Sequence, residues 1–214
     1  VIFHHNDMDG YFSANVIAYG IYKKDKDAHI EAIECNYKDN YPRLGLIKTE
    51  GNIKEIYIVD ISVGKDNLES IDFLTKFAEK VIIIDHHITT VDTFISKGAG
   101  ARIITSDSNK YEIYGIKHNC EVAISNAYCA TVLCWWYICG IEPGTEERNY
   151  YNLPEVIQYV DSWDLFKFNK KDTREFKVGF EYCENYWKSV SSKNNTVKEY
   201  LYQHKNALNS ELQK

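Results

Sequence analysis

The sequence predicts an α/β protein with a doubly wound, mostly parallel, five-stranded sheet and a helical C-terminal extension. Over the first half of the 214 residues, short apolar segments alternate with segments of helical periodicity. That order is typical of parallel sheets with crossover helices. Residues 55–61 are apolar at nearly every position, as strands buried on both faces are. The second half carries mainly helical patterns, which predicts the extension.

Five segments rich in apolar side chains are the predicted strands: residues 1–5, 29–35, 55–61, 80–84 and 101–105. Between them, residues 10–22 and 66–79 carry apolar side chains at helical spacing, so both are predicted helices. Residues 111–117 fit either a sixth strand or one arm of a hairpin.

Three further helices are predicted in the second half: residues 121–138, 153–166 and 197–212. The loop at residues 140–152 contains Pro143-Gly144, a pair that interrupts regular structure. We therefore expect one domain over residues 1–166 and a helical extension over residues 167–214 that packs on it. A chain of this length suffices for one large domain with a small appendage.

The charge of the chain limits its partners. A formal net charge of -6 argues against a protein that coats long duplex nucleic acid, because such binding depends on neutralising phosphates. A small phosphate substrate held by metal ions is compatible with that charge. No segment approaches the roughly 20 apolar residues of a membrane span. We expect no membrane partner and a cytoplasmic location, in the host cell if the chain is viral; the oligomeric state is left open.

The six cysteines form no recognisable zinc or disulfide pattern. No two have the CxxC spacing, and Cys129, Cys134 and Cys139 recur every five residues. On a helix this spacing turns the side chain by roughly 140° at each step, so the three cannot share one face. Free thiols in a reducing compartment are the expectation.

Four groups of acidic and histidine side chains form the candidate site: His5-Asn6-Asp7-Met8-Asp9-Gly10, Asp60, Asp85-His86-His87 and Asp161. The first three follow predicted strands, and in open α/β sheets the carboxyl ends of the strands meet where ligands bind. Taken singly, each group has a structural explanation: a turn, a helix cap or a solvated helix face. Their convergence at one edge of the sheet favours a metal centre.

In order and spacing, these residues resemble the four motifs of the DHH phosphoesterase superfamily. That superfamily includes RecJ-type single-strand exonucleases, nano-RNases that also dephosphorylate pAp, cyclic-dinucleotide phosphodiesterases and family II inorganic pyrophosphatases. The resemblance covers residues 1–166 and implies that this range is a catalytic domain. The implied activity is hydrolysis of phosphoric ester bonds by a two-metal mechanism.

The resemblance also implies that two metal ions share Asp60 as a bridge. The implied ligands are His5, Asp7 and Asp60 for one ion, and Asp9, Asp60, His86 and Asp161 for the other.

Catalytic roles are implied for Asp60, Asp85 and His87. His87 would contact the substrate phosphate, and Asp85 would orient its neighbours by hydrogen bonding. The chain departs from the family pattern at one position: some members have a histidine four residues before the first aspartate, where this chain has Phe3. A second point stays open, because Asp164 competes with Asp161 for the role of the last ligand.

The donor set favours manganese. Carboxylates and imidazoles without thiolates suit Mn²⁺, with Mg²⁺ or Co²⁺ as substitutes, rather than structural zinc. Two such ions about 3.5–4 Å apart activate water and polarise phosphoryl oxygens. We therefore expect two divalent cations and no amino-acid nucleophile.

The sequence leaves the substrate open. Superfamily members that act on oligonucleotides usually continue into a second domain with a glycine-rich, substrate-binding segment, and no such domain is evident here. Tyr182, Tyr186 and Trp187 lie among lysines and arginines and could stack on bases. Packing between the C-terminal helices is the favoured explanation for these rings.

The leading hypothesis is a manganese-dependent phosphodiesterase or exonuclease-like hydrolase that acts on small nucleotides. Short single-stranded oligonucleotides and cyclic or linear dinucleotides are the expected substrates. One alternative is a phosphomonoesterase or pyrophosphatase of the same superfamily. Another is a nucleotide-binding module without catalytic activity.

Overall fold

The computed structural model describes residues 1–37, 41–96, 119–141, 150 and 152–191. Within these residues, five parallel strands form one sheet in the order β2-β1-β3-β4-β5. The strands are β1 (Ile2–His5), β2 (Ala32–Cys35), β3 (Ile53–Val59), β4 (Ala78–Asp85) and β5 (Cys120–Ile124). The direction of progression reverses between β1 and β3, as it does at the switch point of a doubly wound sheet.

Six α-helices accompany the sheet in the described part of the chain: α1 (Met8–Lys24), α2 (Leu68–Leu74), α3 (Ile88–Ser96), α4 (Ala130–Cys139), α5 (Glu155–Asp164) and α6 (Thr173–Ser191). They cover both faces of the sheet. Side chains of α1, α4 and α5 pack in one apolar cluster, whereas side chains of α2 and α3 pack in the other.

Strand β4 shows why the central strands are apolar throughout. Ile82 and Ile84 pack into the cluster with α1 and α4, whereas Val81 and Ile83 pack into the opposite one. Successive strand residues point to opposite faces, and here both faces are buried. Full burial of one such side chain stabilises the fold by about 1.5–3 kcal/mol.

The structure confirms an α/β fold with a five-stranded parallel sheet, and four strands lie where the sequence predicts them. The predicted helix at residues 121–138 is wrong in its first part. Residues Cys120–Ile124 form β5, and the helix begins only at Ala130. Both segments are apolar, so periodicity does not separate them. Helix α3 was not predicted. The helix predicted over residues 66–79 is shorter in the structure, where α2 ends at Leu74 and β4 already begins at Ala78.

Several predictions lie outside the described residues. These are the strand at residues 101–105, the strand or hairpin arm at 111–117, most of the loop at 140–152, and the helix at 197–212. The division of the chain at residue 166 stays a prediction.

Helix α6 packs on the sheet domain through aromatic rings. Phe176 stacks on Tyr159 of α5, with ring centroids 5.0 Å apart, and also contacts Phe12 of α1. The first part of the predicted extension is therefore helical and lies against α1 and α5. Among the described helices, none combines the length and the apolarity that crossing a membrane requires.

Candidate metal centre

Three adjacent strands bring the predicted site residues to one edge of the sheet. Val59 of β3 pairs with His4 of β1 on one side and with Ile84 of β4 on the other. The residue that follows each of these three therefore lies at the same level. The site begins with His5, Asp60 and Asp85 side by side at the carboxyl edge.

Asp60 lies at the centre of the site. Its Oδ1 is 3.2 Å from Nε2 of His86, and its Oδ2 is 3.9 Å from Nδ1 of His5. Its backbone has a φ of 56°, which few non-glycine residues adopt, and its N–H donates to the carbonyl of Ile84 at 3.0 Å. The carboxylate is almost fully buried, with one oxygen towards each of two neighbouring groups.

The first group consists of His5, Asp7 and Asp60. Asp7 is the N-cap of α1, because its Oδ1 accepts a hydrogen bond from the N–H of Gly10 at 2.9 Å. Nδ1 of His5 lies 2.8 Å from Oδ2 of Asp7. Burial opposes ionisation of Asp7, but the hydrogen bonds from His5 and Gly10 outweigh it and hold the pKa of Asp7 below its usual range.

Gly10 is required by the close approach of α1 to β1. A Cβ atom at this position would lie 2.2 Å from the carbonyl oxygen of His5, which no side chain tolerates. The Asp-x-Asp-Gly spacing therefore lets the helix begin directly above His5, with Asp7 and Asp9 held over the sheet edge.

The second group consists of Asp9, His86 and Asp164. Nε2 of His86 lies 3.8 Å from Oδ2 of Asp9 and 3.4 Å from Oδ2 of Asp164. The carboxylate of Asp9 is fixed by helix α4, because it accepts hydrogen bonds from the N–H groups of Ala130 at 2.7 Å and Thr131 at 2.9 Å. The dipole of a helix N-terminus also favours this negative charge.

Two buried carboxylate oxygens of the site accept no hydrogen bond from the described residues: Oδ2 of Asp60 and Oδ2 of Asp164. Burial raises the pKa of Asp60 well above its usual value, and the neighbouring carboxylates raise it further. Burial, together with the charge of Asp9, raises the pKa of Asp164 to about 8. Buried polar atoms without partners are costly, so these two oxygens fit divalent cations.

His87 is held by Asp85. Its Nδ1 donates to Oδ1 of fully buried Asp85 at 2.7 Å, and the hydroxyl of Thr90 donates to Oδ2 of the same carboxylate. Burial would raise the pKa of Asp85, but these two hydrogen bonds lower it below its usual value. Burial lowers the pKa of His87, whereas Asp85 raises it, and the net shift is upward.

The structure places Asp164, not Asp161, next to His86. The carboxylate of Asp161 accepts hydrogen bonds from the N–H of Cys129 at 2.9 Å, from the hydroxyl of Tyr150 at 2.7 Å and from Nζ of Lys167 at 2.7 Å. Asp161 belongs to none of the candidate metal groups among the described residues, whereas Asp164 belongs to one. Of the two candidates that the sequence leaves open, the geometry favours Asp164 as the last ligand.

Sequence reasoning missed Tyr37. Its ring lies 5.1 Å from that of His5, and its hydroxyl lies 3.4 Å from Nε2 of His87. The hydroxyl also accepts a hydrogen bond from the N–H of Ser62 at 3.3 Å. Tyr37 comes two residues after β2, the strand that pairs with β1. Its position near the carboxyl end of that strand is the feature of the sequence that could have placed it at the site.

The geometry thus forms three overlapping candidate ligand groups among the described residues. Asp60 belongs to the group with His5 and Asp7 and also to a group with Asp85, His86 and His87. His86 belongs in addition to the group with Asp9 and Asp164, so Asp60 and His86 link the three groups. Oxygen and imidazole donors of this kind suit Mn²⁺, Mg²⁺ or Co²⁺, and these groups can hold a divalent cation.

The comparisons with known proteins add little to this geometry. No protein-family model matches the chain, and the curated proteins contain no significant match to it. Among solved structures, the chain is similar to an uncharacterized protein from Helicobacter pylori G27, with a TM-score of 0.49 and 14% identity over 78% of this chain. The chain spans 43% of the length of that protein. This similarity has no bearing on function.

Proposed function

We propose that this protein is a metal-dependent phosphoesterase of the DHH type. Its substrates are small nucleotides, in which it hydrolyses a phosphodiester or a terminal phosphate ester. The observation that carries the proposal is the position of Asp60, which belongs both to the group with His5 and Asp7 and to a group with His86. A carboxylate shared in this way is what a two-metal phosphoesterase requires.

The chemistry of the donors supports this choice. Each group offers carboxylate oxygens and at least one imidazole, which suits Mn²⁺, and Mg²⁺ or Co²⁺ are substitutes. When bound, two such cations would supply Lewis acidity for the phosphoryl group and for the attacking water. The excess of carboxylates also explains why cations are needed there, because the ligand atoms of each group lie within 4.8 Å of one another and like charges at that range repel.

The residues around the site provide the remaining functions. Asp9 keeps its carboxylate in place because the N-terminus of α4 holds both of its oxygens. Nδ1 of His87 faces Asp85, and Nε2, which lies 3.4 Å from the hydroxyl of Tyr37, is the nitrogen that contacts a phosphate oxygen. The upward shift of its pKa favours the positively charged imidazolium, which binds a phosphate better than neutral imidazole does.

Two alternatives use the same site. A phosphomonoesterase or pyrophosphatase would need the same pair of ions, so the geometry supports it equally. The substrate that is hydrolysed distinguishes these activities. A nucleotide-binding module without catalysis would not require Asp60, Asp164 and Asp9 together. Asp60 and Asp164 each have a buried oxygen that accepts no hydrogen bond from the described residues. Such oxygens are costly to bury without a cation, which favours a metal-dependent enzyme.

A hydrolysis screen tests the proposal. Purified protein with Mn²⁺ is assayed on di- to pentanucleotides, cyclic dinucleotides, pAp and pyrophosphate, and compared with Asp60→Asn and with Asp72→Asn. Asp72 is a matched control, because it lies on α2 and forms an exposed ion pair with Lys76 beyond the end of that helix. We expect Asp60→Asn to lose activity by at least about 1000-fold and Asp72→Asn to keep it. Full activity in Asp60→Asn would reject the shared-ligand mechanism.

A further inference from the structure

The loop between α5 and α6 carries unusual backbone geometry next to the candidate metal centre. Among the described residues, four that are not glycine have a positive φ: Asp60, Phe166, Phe168 and Asp172. The first is the shared ligand of the proposed site, and the other three lie in this one loop. A positive φ is rare for bulky side chains, and clusters of such residues mark functional sites.

This loop leaves two phenylalanine rings partly exposed to solvent. Phe166 has a φ of 52° and is 74% exposed, and Phe168 has a φ of 44° and is 41% exposed. Folding gains little from the part of a ring that stays in water, while a positive φ costs free energy at a bulky residue. The combination is explained if the rings serve a ligand rather than the core.

Exposed phenylalanines elsewhere provide a contrast. Phe73 and Phe77 are 46% and 43% exposed, and their rings contact each other at the end of α2. Neither has a positive φ, and they lie just before β4, at the opposite edge of the sheet from the candidate metal centre. The rings of Phe166 and Phe168 also contact each other, with centroids 6.2 Å apart. Exposure and mutual contact are therefore ordinary in this protein, and the positive φ distinguishes Phe166 and Phe168.

The loop is firmly attached at the edge of the sheet that carries the site. Asp164 is the last residue of α5, and the N–H of Phe166 donates to the carbonyl of Trp163 at 3.0 Å. Lys167 stands between Phe166 and Phe168 in the sequence, and its Nζ contacts Asp161 at 2.7 Å and the carbonyl of Ala127 at 3.0 Å. The two phenylalanines therefore adjoin an anchored lysine along the chain, and the first of them lies two residues beyond a proposed metal ligand.

The surroundings of the rings suit a nucleic acid. Phe168 lies edge-on to Trp163, with ring centroids 5.9 Å apart, and the guanidinium of Arg174 lies 5.3 Å from the Phe168 ring centroid. Exposed Tyr182 continues the aromatic side chains along α6. Aromatic faces next to an exposed cation are what single-stranded nucleic acids bind, because bases stack on the rings and phosphates contact the cation.

We propose that Phe166 and Phe168 form a stacking surface for the unpaired bases of a single-stranded oligonucleotide whose phosphate lies at the candidate metal centre. This inference rests on the proposed function and narrows it to substrates that carry bases beyond the scissile phosphate. Arg174 contacts a neighbouring phosphate of the same strand. Base identity is not read, because every base has a face that stacks.

Oligonucleotide binding without turnover separates this inference from the proposed hydrolysis. Fluorescein-labelled pentathymidylate and a labelled abasic pentamer of the same length are titrated with Ca²⁺ in place of Mn²⁺, at a temperature and time at which both stay intact, and followed by anisotropy. We expect wild-type protein to bind the thymidylate more tightly, and Phe166→Ala and Phe168→Ala to weaken that binding by about 5- to 150-fold, the value of one stacked base. Neither substitution changes binding of the abasic pentamer, and Phe73→Ala, the matched control, changes neither.

A second substitution tests whether Phe166 serves folding. Glycine adopts a φ of 52° without strain, so Phe166→Gly is expected to keep or raise Tm while weakening pentathymidylate binding as Phe166→Ala does. A fall in Tm would assign the ring to folding and overturn the inference. So would wild-type protein that binds neither pentamer or binds both equally. If the binding results hold but Mn²⁺ supports no hydrolysis, the proposed function fails and the stacking surface stands.

Discussion

Asp161 and Asp164 lie three positions apart on α5, yet their carboxylates have different partners. Asp161 accepts a hydrogen bond from the N–H of Cys129 and pairs with Lys167, whereas Oδ2 of Asp164 lies 3.4 Å from Nε2 of His86. The first carboxylate ties α5 to the start of α4. The second contributes to the candidate metal centre.

The two aspartates should therefore respond differently to the same substitution. Substitution of a residue that only hydrogen-bonds to a metal ligand typically weakens metal binding by roughly 10- to 100-fold. Asp164→Asn removes a proposed ligand, so we expect a larger loss of Mn²⁺ affinity with the fold unchanged. Asp161→Asn should lower the free energy of unfolding by about 1–3 kcal/mol, because Lys167 loses its charged partner. Isothermal titration with Mn²⁺ and urea unfolding without metal measure the two effects. Equal loss of Mn²⁺ affinity in both variants would contradict the assignment.

The stability of the metal-free protein should depend on pH through Asp164. Burial and the charge of Asp9 raise its pKa to about 8, above the value of an unfolded chain. Such a group stabilises the fold fully below about pH 4 and loses that contribution as the pH rises through about 8. One proton changes the free energy of unfolding by about 1.36 kcal/mol per pH unit.

Asp164→Asn isolates that contribution. Between pH 6 and pH 8 in EDTA, wild-type protein is expected to lose up to about 2.5 kcal/mol relative to the variant, because the neutral amide has no proton to lose. Urea unfolding at both pH values measures the difference. Saturation of wild-type protein with Mn²⁺ should reverse it, since a ligand at 100 times its Kd stabilises by about 2.7 kcal/mol. Parallel pH profiles for the two proteins would reject the raised pKa.

The parts of the fold that the sequence predicted are those with strong local patterns. Strands β3 and β4 are apolar at successive positions because helices cover both faces of the sheet. The carboxyl ends of neighbouring parallel strands lie side by side, so the strand pattern alone predicts that Asp60 and Asp85 are close together. Strand β5 was missed because it and α4 form one nearly continuous apolar stretch, interrupted only around Ser125-Asn126.

The parts of the site that the sequence did not predict depend on tertiary contacts. Asp161 and Asp164 differ only in which neighbour each one faces, and helical spacing does not determine the rotation of α5 about its axis. Tyr37 reaches the site through the pairing of β2 with β1, and a single tyrosine after a strand has no motif. The strain at Phe166 is a backbone property that its residue type does not indicate.

Thr90 should support both the fold and the orientation of His87. Its hydroxyl donates to Asp85 and accepts a hydrogen bond from the N–H of Val63 at 2.7 Å, and all three groups are buried. Thr90→Val leaves a buried carboxylate oxygen and a buried N–H unsatisfied, so we expect a loss of about 2–4 kcal/mol in the free energy of unfolding. Thr90→Ser keeps the hydroxyl and should restore most of the stability. Similar stability of the valine and serine variants would show that these hydrogen bonds do not matter.

Gly10→Ala should damage the metal centre through the backbone. The new Cβ would lie 2.2 Å from the carbonyl oxygen of His5, so either α1 or the chain at His5 must move. We expect Mn²⁺ affinity and stability to fall together. Gly179→Ala is the control: its Cβ meets nothing within 4 Å, and alanine should stabilise α6 by up to about 1 kcal/mol. A Gly10→Ala protein with unchanged Mn²⁺ affinity would show that the first ligand group tolerates this shift.

Tyr37 should contribute to turnover through its hydroxyl. The hydroxyl contacts both the N–H of Ser62 and Nε2 of His87, so Tyr37→Phe removes a contact that positions Nε2 of His87 for a substrate. One lost hydrogen bond corresponds to about 1.4 kcal/mol, or a tenfold fall in kcat/KM.

Tyr41→Phe is the matched control. The hydroxyl of Tyr41 donates to the carbonyl of the same Ser62 at 3.5 Å, and this hydrogen bond does not involve His87. We expect that control to keep full activity. Steady-state kinetics on the best substrate of the screen, with kcat and KM measured separately, make the comparison. Equal losses in the two phenylalanine variants would place the effect in the packing around Ser62 and not at His87.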